Sequence, residues 1–210
     1  MRAGRARTIP VGIAAGLRLE VDPAAPVHVY LGTAEVEIAS ALRRLARPGV
    51  RAFDIGGHNA YYAMVLARLT GEPVVSFEFD PEGIARMSRN LALNPAVASS
   101  VTVQQAYLAD VDDPAAGAFR LDTLVREHGF ARPGFLKIDV EGAEGAVLRG
   151  APEVLARKPA LVIETHGPGP EDECADVLLP LGYRLSVVTQ RSRFREHRAA
   201  DNRWLVCEPT

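Results

Sequence analysis

Three groups of residues in this sequence have the types and spacing to do chemistry. The first is Asp54-Ile55-Gly56-Gly57-His58-Asn59-Ala60, followed by an acid at Glu78. Gly56 and Gly57 would let the backbone approach a ligand that any side chain would push away. A helix starting just after them, past His58 and Asn59, would offer free amide N–H groups. A carboxylate at Glu78, ending the next strand, can accept both ribose hydroxyls of an adenosine, so the two segments together imply an adenosine-type cofactor. Asp110, after the third strand, stands where an acid could meet the adenine amine, and a plain acidic loop with Asp112 and Asp113 is the competing reading. The second group is Leu136-Lys137-Ile138-Asp139-Val140-Glu141-Gly142-Ala143-Glu144, in which Lys137, Asp139 and Glu141 alternate. The third is Glu164 and His166, two residues apart and so on one face of an extended segment.

Which adenosine cofactor the first group would hold depends on Asp54. A dinucleotide site keeps G-x-G-x-x-G to admit a pyrophosphate, and the residues from Gly56 onward lack that spacing. An acid just ahead of the glycines would repel phosphate. It suits the ammonium and neighbouring sulfonium of S-adenosylmethionine better. The formal net charge of −2 gives no global field to gather nucleic acid or an anionic membrane, so bulk charge names no partner. Cys174 and Cys207 have neither metal-ligand spacing nor a C-x-x-C arrangement and read as reduced structural thiols.

The elements that must position these groups follow from the hydrophobic pattern. Short apolar runs alternate with longer amphipathic ones at a period of roughly 25 residues, the pattern of strands and helices wound into one mostly parallel sheet. Strands are predicted over Arg51–Ile55, Pro73–Glu78, Val101–Ala106, Phe135–Val140, Ala160–Glu164, Tyr183–Val188 and Trp204–Cys207. Helices are predicted over Ala34–Ala46, Ala60–Leu69, Pro81–Leu93, Asp122–His128, Ala143–Leu148 and Glu171–Leu181, with a turn at Gly167-Pro168-Gly169-Pro170. Residues 1–48 read as an amino-terminal extension with a helix packed on the sheet, and 49–210 as the cofactor-binding region of one structural domain. No export signal is evident, and no run reaches the roughly 18 apolar residues of a membrane span, so the expected location is cytoplasmic.

The stretch from Leu136 to Glu144, continued by Val147-Leu148-Arg149-Gly150-Ala151, is the most specific in the chain. With Asp54 to Tyr62, Phe77-Glu78, Leu121 to Leu124 and Ile163 to His166, it resembles the FkbM-type methyltransferases, from about Gly49 to Tyr183. The resemblance implies a Rossmann-like class I methyltransferase fold: an α/β architecture with a seven-stranded, mostly parallel sheet in the order 3-2-1-4-5-7-6, the last strand antiparallel, and helices on both faces. It also implies S-adenosylmethionine as cofactor and a hydroxyl of a sugar, glycolipid or secondary metabolite as acceptor. The family's loop resembles D-V-G-A-N-x-G; here Gly57 replaces Ala, His58 replaces Asn and Ala60 replaces Gly, while Phe79 stands where Pro is usual.

In that topology the ends of strands four and five converge beside the cofactor. Methyl transfer from a sulfonium is an in-line displacement, and a hydroxyl acceptor needs a base within reach. Asp139 is the expected aligning residue and His166 the expected base, because imidazole titrates near working pH. Glu141 and Glu164 are expected to bind substrate or support the other two. Asp54, Gly56, Gly57, His58, Asn59, Glu78 and Asp110 are the expected cofactor contacts. The competing readings make Asp139 and Glu141 helix caps and His166 a loop histidine. Asp139, Glu164 and His166 are also donors that several metal ions accept, yet the sulfonium already carries the activation and no metal is required. Arg191, Arg193, Arg195 and Arg198 form a basic turn on the same side that could hold an anionic acceptor. A nucleic-acid partner is not expected, and a second subunit could complete an open site. The rival classes are a methyltransferase-like binding module without activity and an NAD-dependent oxidoreductase.

Overall fold

Residues that are apolar on both sides of an extended segment can only sit in the middle of a sheet, and three such runs do. In this computed structural model the described residues are 5–23, 25, 27–191 and 202–210. In chain order they form β1 (Ala6–Thr8), β2 (Arg18–Glu20), α1 (Val27–Leu31), α2 (Ala39–Leu45), β3 (Ala52–Ile55), α3 (Tyr61–Thr70) and β4 (Val74–Glu78). Next come α4 (Pro81–Ala92), α5 (Pro95–Ala98), β5 (Val101–Gln105), β6 (Tyr107–Leu108), β7 (Ala118–Phe119), α6 (Leu121–Glu127) and β8 (Phe135–Ile138). The chain closes with α7 (Glu144–Arg149), α8 (Pro152–Leu155), β9 (Ala160–His166), α9 (Pro168–Leu178), β10 (Tyr183–Thr189) and β11 (Asn202–Pro209). Every residue of β3, β4 and β8 is buried.

The large sheet runs β5-β4-β3-β8-β9-β11-β10. Numbering its seven strands alone gives 3-2-1-4-5-7-6, with β11 antiparallel to both β9 and β10 and the other pairings parallel. The expected α/β fold class therefore holds. The chain adds two short ribbons, β1 with β2 and β6 with β7, that the hydrophobic pattern did not announce.

Strand alternation sends side chains to two separate cores. Phe53, Ile55, Phe77, Leu136, Ile138, Leu161 and Ile163 face α6 to α9. Ala52, Val74, Phe135, Val162 and Trp204 face the opposite way, against Met64 of α3, Leu42 of α2, and Ile9, Leu17 and Leu19 of the amino-terminal segment. By the same alternation Asp54, Ser76, Lys137 and Glu164 lie on this second face. A polar row thus crosses the sheet beneath α3.

Several predicted bounds shift for physical reasons. The helix expected from Ala34 begins at Ala39, because residues 34–38 run as turns with Glu35 at φ +46°. The Gly167-Pro168-Gly169-Pro170 turn is instead a helix entry: Pro168 takes the first helical position, where its fixed φ is already suitable, and α9 ends at Leu178 ahead of Pro180. β9 continues to His166, which places that side chain on the strand with Glu164. Among the described residues no helix is long and apolar enough to cross a membrane.

Ile9, fully buried against the second core, measures how firmly the amino-terminal segment belongs to the fold. Ile9→Ala should lower stability by about 2–4 kcal/mol in urea denaturation followed by Trp204 fluorescence. An unchanged midpoint would mean that the segment detaches before the sheet unfolds.

Candidate active site

The glycine loop between β3 and α3 is shaped by close packing. Gly56 has φ +89°, and a Cβ there would lie 1.8 Å from the Asp139 carbonyl oxygen. A Cβ on Gly57 would meet Ser76 Oγ at 2.4 Å and Met87 Cε at 2.6 Å. Gly56 therefore excludes any side chain, whereas a Cβ at Gly57 would require the Ser76 and Met87 side chains to shift. The amides of Gly56 and Gly57 both donate to the Phe77 carbonyl at 2.9 Å, and that of Ala60 to Gly57 O at 2.7 Å. The loop is thus tied to β4 by its own amides, and of the helix amides expected to be free, that of Tyr61 donates to Asn59 Oδ1 at 3.0 Å. His58 and Ala60 both adopt left-handed φ, +44° and +64°, a region that disfavours side chains.

Glu78 is buried, and its carboxylate gathers the surrounding backbone. Oε2 accepts from the His58 amide at 2.7 Å, and Oε1 from the Phe79 and Asp80 amides at 2.8 and 2.9 Å. It thereby links the end of β4 to the glycine loop. Asp54 is also buried but lies behind the loop, accepting from Ser76 Oγ at 2.8 Å and from the Ala63 amide of α3. Burial pushes its carboxyl up to about 7, against the opposing pull of Ser76 and the Lys137 ammonium.

Lys137 is completely buried, its Nζ 3.5 Å from Asp139 Oδ2 and 4.9 Å from the centre of the Tyr62 ring. Burial opposes its charge, but the carboxylates of Asp139, Glu35, Glu164 and Asp54 outweigh that and raise its pKa. Burial would likewise raise the carboxyl of Asp139; Lys137, a hydrogen bond with Glu164 and the nearby His166 together hold it below the usual carboxylate range. Glu164 accepts from Asn202 Nδ2 at 3.1 Å and Trp204 Nε1 at 3.3 Å. His166 Nδ1 faces Glu144 Oε1 at 3.6 Å.

Two cavities open at the carboxyl ends of the strands. One, of about 250 Å³, is lined by Gly56, His58, Glu78, Asp139 and Glu141 on its polar side and by Ile55, Phe77, Phe79, Tyr107 and Leu108 on its apolar side. The other, of about 390 Å³, is lined by Gly56, Gly57, His58, Asn59 and Asp139 together with Asp22, Val29, Glu35, Tyr61 and Tyr62. Of the residues expected at the site, Gly56, Gly57, His58, Asn59, Glu78, Asp139 and Glu141 meet here. Asp54 and Asp110 line neither cavity; Asp110 is exposed and paired with Arg149 at 3.3 Å. His166 also lines neither, standing behind Asp139. Arg193, Arg195 and Arg198 lie outside the described residues, and the Arg191 amide donates to Glu37 at 3.1 Å.

Some lining residues were not singled out from the sequence. Phe79 and Tyr107 are 60% and 45% exposed and stack edge to face with centroids 5.7 Å apart, an apolar platform at the mouth of the first cavity. Phe79 is the residue that replaces the usual Pro, and an aromatic directly after the strand-end acid Glu78 is the signal that could have found it. Tyr62 OH donates to Glu35 across the second cavity. Such pairing of the amino-terminal segment with α3 leaves no mark in local sequence.

The fold is that of the class I methyltransferases. Within that class, residues 115–200 of the chain match the methyltransferase FkbM domain, the family that its strand-four motif resembles. The matched region includes Asp139, Glu141, Glu164 and His166 and begins after the glycine loop. A solved FkbM methyltransferase from Methylobacillus flagellatus superposes with a TM-score of 0.61 at 18% identity over 75% of this chain, which spans 43% of that protein's length. Precorrin 8W decarboxylase from Methanobacterium thermoautotrophicum gives 0.62 at 16% identity, covering 91% of this chain and 97% of the other. Aeropyrum pernix fibrillarin, solved with natively bound S-adenosyl-L-methionine, gives 0.56 at 14% identity over 78% and 68%. No curated protein matches the sequence.

Two outcomes test this packing. Gly56→Ala should lose about 2–5 kcal/mol of stability, from the clash with Asp139 and the left-handed backbone, as read by chemical denaturation. Asp54 binds its proton more tightly folded, near 7, than unfolded, near the ordinary aspartate value of 3.8. Its contribution is therefore fully present below the lower value and lost as pH rises to the upper. The melting temperature of the native protein should accordingly fall relative to Asp54→Asn between those two pH values and run parallel above them. Parallel curves throughout would contradict the buried-acid assignment.

Proposed function

We propose that this protein is an S-adenosylmethionine-dependent methyltransferase that places its cofactor in the first cavity and a hydroxyl-bearing acceptor in the second. The observation that carries the reading is that Gly56, His58 and Asp139 line both cavities, so a methyl group and an acceptor oxygen would meet at Asp139. The FkbM match over the strand-four and strand-five residues supports it, as does the bound S-adenosyl-L-methionine in fibrillarin, which has the same fold.

In this arrangement Glu78 accepts the ribose hydroxyls and exchanges part of its hold on loop amides for them. The Phe79 and Tyr107 rings flank the adenine. Asp54 acts from behind, keeping the loop and α3 in register. Asp139, held ionised by Lys137, accepts a hydrogen bond from the acceptor hydroxyl and aligns its oxygen for in-line attack on the methyl carbon. S-adenosylmethionine, when bound, would supply the methyl carbon as electrophile with its thioether as leaving group, and the proton of the acceptor hydroxyl would pass to Asp139 or to solvent. His166, behind Asp139, takes the role of an orienting neighbour in place of the base expected from the sequence.

Calorimetry with S-adenosylhomocysteine and with NAD tests the cofactor. The first should bind and the second should not, and the reverse result sinks the proposal. Glu78→Gln, which exchanges one carboxylate oxygen for an NH2 group, should weaken the homocysteine ligand at least about tenfold, roughly the loss of one charge-assisted hydrogen bond. Asp139→Asn should keep that affinity while losing methyl transfer from labelled cofactor to a panel of hydroxylated acceptors.

A further inference from the structure

Asp139, Glu164 and His166 each offer a ligand atom, and the three atoms lie within 4.8 Å of one another. They come from the adjoining ends of β8 and β9, on the sheet face that carries the polar row. A fourth group joins them from β11. Asn202 is the register partner of His166, and Trp204 that of Glu164, so directly opposite side chains share that face. Asn202 is only 7% exposed; its Nδ2 donates to Glu164 Oε1 at 3.1 Å, while its Oδ1 is buried without a hydrogen-bond partner among the described residues. Asn202 already meets the cluster through Glu164, and a turn of its amide would present the unpartnered oxygen to a cation there.

Charge points the same way. Asp139, Glu164 and Glu144 stand around His166, and Lys137, 3.5 Å from Asp139, is the ammonium among them. Glu144 is fully buried, with Oε1 3.6 Å from His166 Nδ1 and Oε2 without a partner among the described residues. His166 Nδ1 has no hydrogen-bond partner among the described residues, and a slight closing of the gap to Glu144 would give the ring the carboxylate support that leaves its other nitrogen free to ligate a metal.

We propose that Asp139, Glu164, His166 and Asn202 Oδ1 form a binding site for one divalent metal ion, with Glu144 orienting the histidine. Two carboxylates, one imidazole and one amide oxygen suit Mn²⁺, Fe²⁺ or Zn²⁺. Metal–ligand bonds of about 2.0–2.2 Å bring donor atoms to within about 4.3 Å of each other. The observed spacing closes by side-chain adjustment alone. Metal binding stands independently of the methyl-transfer reading. A role for the ion in drawing the proton off an acceptor hydroxyl rests on that reading, since Asp139 would be shared between the ion and both cavities.

The test is titration of Mn²⁺ into the full chain without cofactor, read by loss of the free-ion paramagnetic resonance signal and by competition with Zn²⁺. Saturation at one ion per chain, displaced by Zn²⁺, is expected. Asp139→Asn and His166→Gln should each weaken uptake at least tenfold with an unchanged circular dichroism spectrum. Glu153→Gln, on the other side of the molecule, should leave it unchanged. The nitrogen hyperfine coupling of bound Mn²⁺ should vanish in any residual uptake by His166→Gln. No saturable uptake, or uptake unchanged in both site variants, overturns the site. Because no cofactor is present, either result leaves the methyl-transfer reading standing. Failure to bind S-adenosylhomocysteine with Mn²⁺ uptake intact would remove that reading alone.

Discussion

The ammonium of Lys137 is the charge around which the functional end of the sheet is arranged. A fully buried cation in the central strand survives only where carboxylates surround it, and here Asp54, Asp139, Glu164 and Glu35 supply them from β3, the end of β8, β9 and the amino-terminal segment. Each of those acids is in turn held by something else: Ser76 and α3 hold Asp54, Asn202 and Trp204 hold Glu164, and Tyr62 holds Glu35. The result is a connected polar layer inside an otherwise apolar face. It fixes where Asp139 can point, and Asp139, with His58, is a side chain that lines both cavities.

The glycine loop is subject to the same logic at closer quarters. Gly56 must be glycine because the Asp139 carbonyl presses on it, while Gly57 packs against the Ser76 and Met87 side chains. The loop is therefore positioned by β4 and the end of β8 before any ligand arrives. Its amides are already engaged by Phe77 O and the Glu78 carboxylate. A ligand reaching Glu78 would have to exchange with those hydrogen bonds, and the side chains at His58 and Ala60, both in left-handed backbone, are carried by that frame.

Much of this was legible in the sequence. The seven sheet strands were marked by runs such as Phe135–Ile138 and Val74–Glu78, buried on both faces and mostly apolar, with Lys137 and Ser76 as the polar interruptions on one face. Asp139, Glu78 and Gly56 were legible because strand ends and glycine pairs have few alternative uses. The misreadings share one cause, which is that sequence gives a residue's type and not its direction. Asp54 has the right charge for an ammonium, but strand alternation turns it toward Ser76 and α3. Asp110 is in the right loop, but Arg149 of α7 takes it. His166 was read as loop and base; the strand continues through it and leaves it behind Asp139. Glu35 and Tyr62, 27 residues apart, meet only because the amino-terminal segment folds back over α3, and no local pattern records that.

The way that segment folds back bears on how such a protein diversifies. The wall that Asp22, Val29 and Glu35 contribute to the second cavity comes from a part of the chain that precedes the sheet. The first cavity is built from strand ends and the loops between them. That wall can therefore change at Asp22 and Val29, while Glu35 and the strand residues stay tied to the buried lysine. The second cavity thus has a side that can be reshaped at two positions without touching the charged layer of the sheet.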